Sequence, residues 1–376
     1  MSGARPRACP HCLRRAWLIG SLAGHIETAV SDTNGNRAHE VLGLPDEALA
    51  KAMARGKAGS FLRRAAERDP QRLRAAIAGA GAWASCRHDE LYPPGLHDLG
   101  DPPGAIFGRG DPAILAELRT GAAVTIVGSR RPSGYGSELA TKLGREVASS
   151  GLAIVSGMAM GIDAAAHRGA LEVSGITVAV LGSGIDVPYP PRHTRLYEQI
   201  VERGLALSEL PPGTPARRWT FPARNRIMAA LGGMTVVVEA RERSGSLITA
   251  GMAQDLGRDL GAVPGRVGAS PAAGTNGLLR DGAALIRDAG DVLDSLLGAG
   301  AGARSSSHGP ELDADLAGLL SLVERGESSP DALARASGLE PGALAAGLVR
   351  LELSGYLRSD SAGRYERTAL VAPDTP

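Results

Sequence analysis

Short apolar runs separated by amphipathic stretches dominate residues 111–297 of the chain. The runs are rich in Val, Ile and Leu, and each ends in a small or polar loop; they span residues 123–127, 153–155, 177–181, 206–207, 234–238 and 260–263. Apolar strands that alternate with helices are typical of a parallel sheet covered on both faces. The pattern therefore predicts an α/β fold, a Rossmann-like doubly wound parallel sheet over residues 111–297.

The regions on either side of this sheet have different patterns. Residues 1–80 predict a small N-terminal helical domain, with helices at 13–30, 45–55 and 61–78. Residues 81–110 are dense in Pro and Gly and are interpreted as a connector that packs over the next domain. Residues 298–310 have the composition of a linker. Residues 311–376 predict three short helices and a hairpin, which favours a winged-helix-like domain over a helical module that merely ends in a strand pair.

Composition limits the classes of partner. The chain has 41 Lys and Arg against 40 Asp and Glu, a net charge of +1, so any nucleic-acid site must be a local patch. Aromatic residues make up only 3%, so an aromatic cluster beside positive charge is informative. Three cysteines favour a reducing cytosol, and neither a signal peptide nor an apolar run of about 18 residues is found. We expect a cytoplasmic protein without membrane contact.

Three of the loops that follow predicted strands are rich in glycine: 128–136, 156–163 and 182–186. In doubly wound sheets, ligands bind outside the carboxyl ends of the strands. Glycine lets backbone N–H groups approach an anion, and helix N-termini add a favourable dipole. The three loops together predict a phosphate-binding rim, although each alone is typical of a tight strand–helix connection. The fingerprints of dinucleotide enzymes and of P-loop NTPases are both absent.

Residues 217–226 form the most informative loop. They include four Arg and no acid. They also include Trp219 and Phe221, although the whole chain has only three Trp, six Tyr and three Phe. Arginines interleaved with aromatic rings suit single-stranded nucleic acid, because charge meets phosphates and flat faces meet unstacked bases. The alternative is a helix-start loop whose aromatic side chains pack in the core and whose arginines are solvated.

Catalytic and metal-binding patterns are weak. The metalloprotease and nucleophile-elbow motifs are absent. His167 is expected to pack against a helix, and Asp163 to cap one. Cys9 and Cys12 have a C-x-x-C spacing. They could bind zinc together with Cys86 and His88, which lie further along the chain. A lone C-x-x-C is non-specific, so we assign no metal, no cofactor and no catalytic residue.

Seven stretches at the predicted strand ends carry a recognisable combination of motifs: 127–130, 156–167, 182–184, 189–190, 221–227, 244–250 and 274–276. In this order, over about 150 residues, they resemble the DNA-processing protein A family, also called Smf. The resemblance implies a single-stranded DNA-binding protein, not an enzyme, that protects incoming DNA in natural transformation and loads the RecA recombinase. It also implies a homodimer formed through the Rossmann-like domain.

Roles of individual residues follow from the same resemblance. Arg130 matches a phosphate-binding arginine, Arg218 a basic DNA contact, and Phe221 an aromatic residue that meets bases. The family usually has Arg where this chain has Met160, so one charged contact is missing. The full set of predicted DNA-binding residues is Gly128, Ser129, Arg130, Ser156, Gly157, Gly182, Ser183, Arg192, Arg218, Phe221, Arg224, Asn225 and Arg226.

Two alternative functions compete with this interpretation. One is a nucleotide N-glycoside hydrolase of the lysine-decarboxylase-like, cytokinin-activating type, which has a similar fold and phosphate rim. Its P-G-G-x-G-T-x-x-E loop is missing, and residues 239–246 read E-A-R-E-R-S-G-S instead. The other is a winged-helix regulator that binds duplex DNA and carries a ligand-sensing Rossmann-like domain.

Overall fold

The computed structural model describes residues 6–31, 38–118, 123–299, 301, 312–354, 356–360 and 363–367. Two compact units divide the chain, residues 1–299 and residues 300–376. The predicted linker at 298–310 lies largely outside the described residues. The limits of the individual domains stay a prediction.

Short helices make up the beginning of the first unit: α1 (Pro10–Ala29), α2 (Ala38–Leu42), α3 (Asp46–Ala54), α4 (Ala58–Ala66) and α5 (Pro70–Gly79). The single helix predicted at 61–78 is wrong, because the chain breaks between α4 and α5. Pro70 has no N–H and cannot continue a helix, but it suits a first helical position. The Asp69 carboxylate accepts a hydrogen bond from the Gln71 amide and caps the new helix.

Nine strands of the described residues form one sheet: β1 (Trp83–Cys86), β2 (Ala105–Gly110), β3 (Ala123–Val127), β4 (Ala153–Ser156), β5 (Thr177–Val180), β6 (Leu205–Ser208), β7 (Met234–Val237), β8 (Asp259–Ala262) and β9 (Ala284–Leu285). Their order is β1-β2-β6-β5-β4-β3-β7-β8-β9. From β6 to β9 all neighbours are parallel. The predicted doubly wound sheet is therefore confirmed. Strands β3 to β7 are buried along their whole length, which explains their unbroken apolar runs.

Residues 81–110 contribute to this sheet rather than only connecting to it. Strand β2 pairs antiparallel with β6, and β1 pairs antiparallel with β2. Gly108 in β2 lies against the Trp83 ring, where a Cβ would come within 2.2 Å of a ring carbon. The glycine that suggested a loop is therefore required by close packing within the sheet.

The helices between the strands, with one helix after the last strand, cover both faces of the sheet. They are α6 (Ile114–Glu117), α7 (Gly134–Ser149), α8 (Ile162–Glu172), α9 (Thr194–Arg203), α10 (Thr220–Leu231), α11 (Gly245–Asp255), α12 (Ala273–Arg280) and α13 (Ala289–Leu297). Helices α8 and α9 share one hydrophobic cluster with the sheet, and α10 and α11 share another. Trp219, directly before α10, is buried against the N-terminal helices, and its indole Nε1 donates to the Ala23 carbonyl of α1 at 3.0 Å.

The second unit contains the predicted winged helix, with α14 (Ala314–Glu324), α15 (Pro330–Ser337), α16 (Pro341–Leu353), β10 (Leu357–Ser359) and β11 (Tyr365–Arg367). The two strands pair antiparallel and form the hairpin. Leucines from all three helices pack around Tyr356. Three helices followed by a hairpin confirm the winged-helix-like pattern. None of the described helices combines the length and apolar character that a membrane crossing requires.

Candidate nucleic-acid interface

A cleft of about 850 Å³ opens between the carboxyl ends of β3 and β7. From β3, the chain adds β4, β5 and β6 on one side, and then crosses to add β7, β8 and β9 on the other. The strand order reverses at this point, where doubly wound sheets bind their ligands. The cleft walls come from the segments that follow β3, β4, β5 and β7, from α10 and from Arg218 just before it.

Two helix N-termini are formed by these loops. Ser133 caps α7, with its hydroxyl accepting a hydrogen bond from the Gly136 amide at 3.0 Å. Ser244 caps α11 in the same way, accepting from Ser246 at 3.4 Å. The partial positive charge at a helix N-terminus favours an anion. At α7 the Glu239 carboxylate takes this place, which leaves the N-terminus of α11 as the candidate for a ligand anion.

Five exposed arginines line the cleft: Arg130, Arg131, Arg218, Arg241 and Arg243. Among the described residues that line the cleft, Asp163 is the one acid, and it is buried. Its carboxylate accepts hydrogen bonds from the amides of Gly157 and Ala159 at 3.1 and 3.3 Å. Burial raises the pKa of Asp163, whereas Arg224 and the two amides act in the opposite direction. The exposed charge of the cleft is therefore positive.

An aromatic pair stands beside one of these cations. Phe221 lies in the first turn of α10, and its ring centre is 5.2 Å from that of Tyr189. The guanidinium carbon of Arg130 is 5.4 Å from the Phe221 ring centre, within cation–π range. Phe221 is half-buried and Tyr189 is exposed, so ring surface remains open at the cleft. Gly182 lies beneath the Phe221 ring, where a Cβ would be 3.1 Å from a ring carbon.

Arg224 extends the positive charge below the surface of the cleft. Its Nη1 donates to the Val180 carbonyl at 3.1 Å, and Nη2 lies 3.8 Å from the Asp163 carboxylate. Burial lowers the pKa of Arg224 to about 10, so it stays protonated at neutral pH. Gly157 makes room for it, because a Cβ there would fall 1.3 Å from Nη1. The Gly157 loop therefore packs against an arginine, in addition to beginning a helix.

The remaining predicted residues divide into two groups. Gly128, Ser129 and Asn225 line the cleft. Ser156 and Ser183 do not, because both are buried, and their hydroxyls donate to the carbonyls of Ile126 and Val187, each at 2.6 Å. Arg192 is exposed, but it lies outside the cleft lining.

Arg226 does not face the cleft, which corrects the sequence interpretation. Its side chain is 2% exposed. Nη2 donates to both carboxylate oxygens of Glu209 at 2.9 Å, and Nε donates to Asp101 at 2.8 Å. The cleft lining uses positions 221, 222, 224, 225 and 228 of α10. Position 226 lies just beyond the edge of this face, where Glu209 and Asp101 bind the guanidinium. Arg226 joins α10 to the sheet instead of presenting charge to a ligand.

Arg241 and Arg243, like Arg131, are cleft arginines that the set predicted from the sequence does not include. Both follow β7 in the segment R-E-R-S-G-S, and both are exposed. The sequence could have indicated them. In doubly wound sheets ligands bind at the carboxyl ends of the strands, and this applies to residues after β7 as much as to those after β3. Their neighbour Glu239 is engaged elsewhere: its carboxylate accepts hydrogen bonds from the Ser133 hydroxyl and amide at the start of α7.

The residues considered for catalysis have structural roles here. His167 is fully buried and lies 2.7 Å from the Thr177 hydroxyl. Burial lowers the pKa of His167 to about 3, so the ring is neutral at physiological pH. Glu239, the acid nearest to the loop that a nucleotide hydrolase would need, is buried as a helix cap.

Comparison with known proteins identifies the family. A family model described as DNA recombination-mediator protein A matches residues 83–297. The chain belongs to this family. A second model, the DprA winged helix domain, matches residues 303–363. A relative from Bacillus subtilis has the name DNA processing protein DprA.

Several relatives in the DprA family resemble the chain over most of its length. A Mycobacterium tuberculosis protein provisionally named as the DNA processing protein DprA is 41% identical over 288 residues, 75% of this chain and 70% of that one. The X-ray structure of DprA from Streptococcus pneumoniae aligns with a TM-score of 0.60 and 32% identity, over 76% of this chain and 96% of that one. A Helicobacter pylori DprA structure, described for its single-stranded DNA binding mode, aligns with a TM-score of 0.51 and 33% identity, over 57% of this chain and 95% of that one.

Proposed function

We propose that this protein binds single-stranded DNA in the cleft between β3 and β7. The observation that carries the proposal is the half-buried Phe221 ring, next to the Arg130 guanidinium and the Tyr189 ring in a cleft lined by exposed arginines. Arginines pair with phosphates, and an open aromatic face stacks on a base. Bases inside a duplex are already stacked on each other, so this combination favours single strands.

The proposal extends to the role that the family resemblance implies. The protein would protect incoming DNA during natural transformation in the cytoplasm and load RecA onto it. It would act as a homodimer through the Rossmann-like domain. Exposed apolar side chains at the β8–β9 end of the sheet, Val267 and Leu285, are candidates for the dimer contact. Sedimentation of the parent chain and of Leu285→Asp tests this part, with the variant expected to be monomeric.

A strand-type binding assay tests the central part of the proposal. The full chain is titrated against labelled oligo-dT, a mixed-sequence single strand and the matching duplex at one salt concentration. We expect both single strands to bind at least tenfold more tightly than the duplex, an affinity difference of about 1.4 kcal/mol or more. Preference for the duplex, lost when residues 311–376 are deleted, would favour the winged-helix regulator. Release of free base from a nucleoside monophosphate would favour the hydrolase.

RecA loading needs a separate readout. Assembly of RecA on single-stranded DNA is followed over time with and without the protein, and we expect faster assembly in its presence. Phe221→Ala, which removes the aromatic face, serves as the matched variant and should lose the acceleration. Unchanged assembly kinetics with the parent protein would contradict the loading role and leave the DNA-binding result standing.

A further inference from the structure

Three cysteines and one histidine that are distant in sequence meet at the edge of the sheet. Cys9 directly precedes α1, Cys12 lies in its first turn, Cys86 ends β1, and His88 follows in the next turn. One potential ligand atom from each residue lies within 4.8 Å of all the others. Cys12 and Cys86 are buried, Cys9 is half-buried and His88 is exposed at the surface.

The spacing of these atoms matches a tetrahedral metal centre. The Nδ1 atom of His88 is 3.6 Å from the sulfur of Cys9, 3.5 Å from that of Cys12 and 3.9 Å from that of Cys86. In a tetrahedral zinc site, with Zn–S of about 2.3 Å and Zn–N of about 2.0–2.1 Å, sulfur and nitrogen ligands stand about 3.6 Å apart. All three sulfur–nitrogen distances lie close to that value.

The surrounding backbone holds the cluster together. The Cys9 amide donates to the Cys86 sulfur at 3.3 Å, a contact that stabilises negative charge on a thiolate ligand. The Ala8 amide donates to the Ala84 carbonyl of β1 at 2.9 Å, so the segment before α1 lies along this strand. The three cysteines are free thiols, and no pair among them forms a disulfide.

We propose that Cys9, Cys12, Cys86 and His88 bind one zinc ion. Four protein ligands complete the tetrahedron and leave no position for water or substrate, so the site is structural rather than catalytic. The ion would fasten the start of α1 to β1, the edge strand of the sheet. This inference is independent of the proposed DNA-binding function, because the four residues lie outside the arginine-lined cleft.

Direct metal analysis tests the proposal on the full chain, purified without chelator and with any affinity tag removed. We expect about one zinc per chain by plasma mass spectrometry. After removal of zinc, titration with Co²⁺ should give the intense visible bands of tetrahedral thiolate coordination, and Zn²⁺ should bleach them. Less than about a tenth of an equivalent of zinc, together with only the weak spectrum of octahedral cobalt, would overturn the proposal.

Matched variants identify the ligands. His88→Ala and Cys9→Ser alter the least buried members and are expected to weaken zinc binding by roughly tenfold or more, since even partners outside the ligand shell are worth that much. His11→Ala is the control, because His11 lies in the same C-P-H-C segment, is exposed and is not part of the cluster. Loss of zinc from His11→Ala with retention in His88→Ala would contradict the ligand assignment.

A thiol count separates the metal site from a disulfide. After denaturation in the presence of a chelator and without reductant, three reactive thiols per chain are expected. One reactive thiol would show that two of the cysteines pair covalently, and would overturn the zinc site. Retention of the far-ultraviolet circular dichroism spectrum in the variants shows that loss of metal is not the result of unfolding.

Discussion

Arg130 and Phe221 are 91 positions apart in the sequence, and the guanidinium carbon of Arg130 lies 5.4 Å from the centre of the Phe221 ring. Arg130 follows β3, and Phe221 lies in the first turn of α10. The cation covers part of the ring, and the remaining surface is available to a ligand. Because an aromatic face stacks on a base of any sequence, this pair suits the sequence-tolerant binding of single strands that we propose.

Phe221→Ala should weaken single-stranded DNA binding by ~1–3 kcal/mol if one base stacks on the ring. Fluorescence anisotropy measures the affinity, and a thermal melt measures the stability. Phe221→Leu is the matched control for volume: it should preserve the melting temperature and still lose affinity, because leucine has no flat π-face. A Leu variant that binds like the parent would show that the ring only fills space.

Met160→Arg should strengthen binding most at low salt. Met160 is 40% exposed, next to Ala159 in the cleft lining, so a charge there does not have to be buried. One added phosphate contact should steepen the log–log salt dependence by about 0.7. Met160→Gln supplies similar length without charge and should match the parent. Equal slopes for the Arg variant and the parent, with an intact fold, would show that this position does not face DNA.

Arg226→Met should destabilise the fold without a specific effect on DNA. The substitution leaves Glu209 and Asp101 without their shared cation, and removal of one partner from a buried ion pair costs about 3–5 kcal/mol. Denaturant unfolding measures the loss. A variant of parental stability that binds DNA weakly would contradict the structural role and restore Arg226 as a contact.

Stability should depend on pH through His167. Burial lowers the pKa of this ring to about 3, while the ordinary value is 6.5. Below pH 6.5 the unfolded chain therefore binds a proton that the folded chain excludes, and stability falls as the pH falls from about 6.5 towards 3. Between pH 7 and pH 5 the parent should lose about 2 kcal/mol more than His167→Gln, measured by denaturant unfolding at both values. Equal losses in the two proteins would contradict the buried, neutral ring.

The sequence alone predicts those parts of the fold that leave a hydrophobic pattern within a short stretch of the chain. Strands β3 to β7 are buried along their whole length, and β8 is buried after its first residue, so each leaves an apolar run that can be recognised without its neighbours. Strands β1 and β2 were missed because glycine and proline surround them, and the reason for Gly108 is the ring of Trp83, 25 positions earlier. Close packing between distant residues leaves no periodic pattern.

The same limit applies to the candidate site. The motif around Phe221 indicates which residue types gather after β6, but not that Arg226 turns towards Glu209 while Arg224 turns towards Asp163. The direction in which each side chain of α10 points depends on where the helix begins. Packing of Trp219 against the N-terminal helices fixes that starting point. All four residues of the cysteine cluster are candidate ligands in the sequence, but 74 positions separate Cys12 from Cys86, so spacing alone does not show that the two halves meet.

The salt dependence of single-stranded DNA binding by Arg218→Ala tests the central claim most directly. Arg218 is exposed in the cleft, and its backbone amide is held by the Glu27 carboxylate, so truncation removes charge from a fixed position. Arg203→Ala is the control, because Arg203 is exposed at the end of α9, before β6, at the opposite end of the strands. We predict a log–log slope reduced by about 0.7 for Arg218→Ala, equal losses of affinity for oligo-dT and mixed sequence, and a parental slope for Arg203→Ala. A parental slope for a folded Arg218→Ala variant would contradict DNA binding in this cleft.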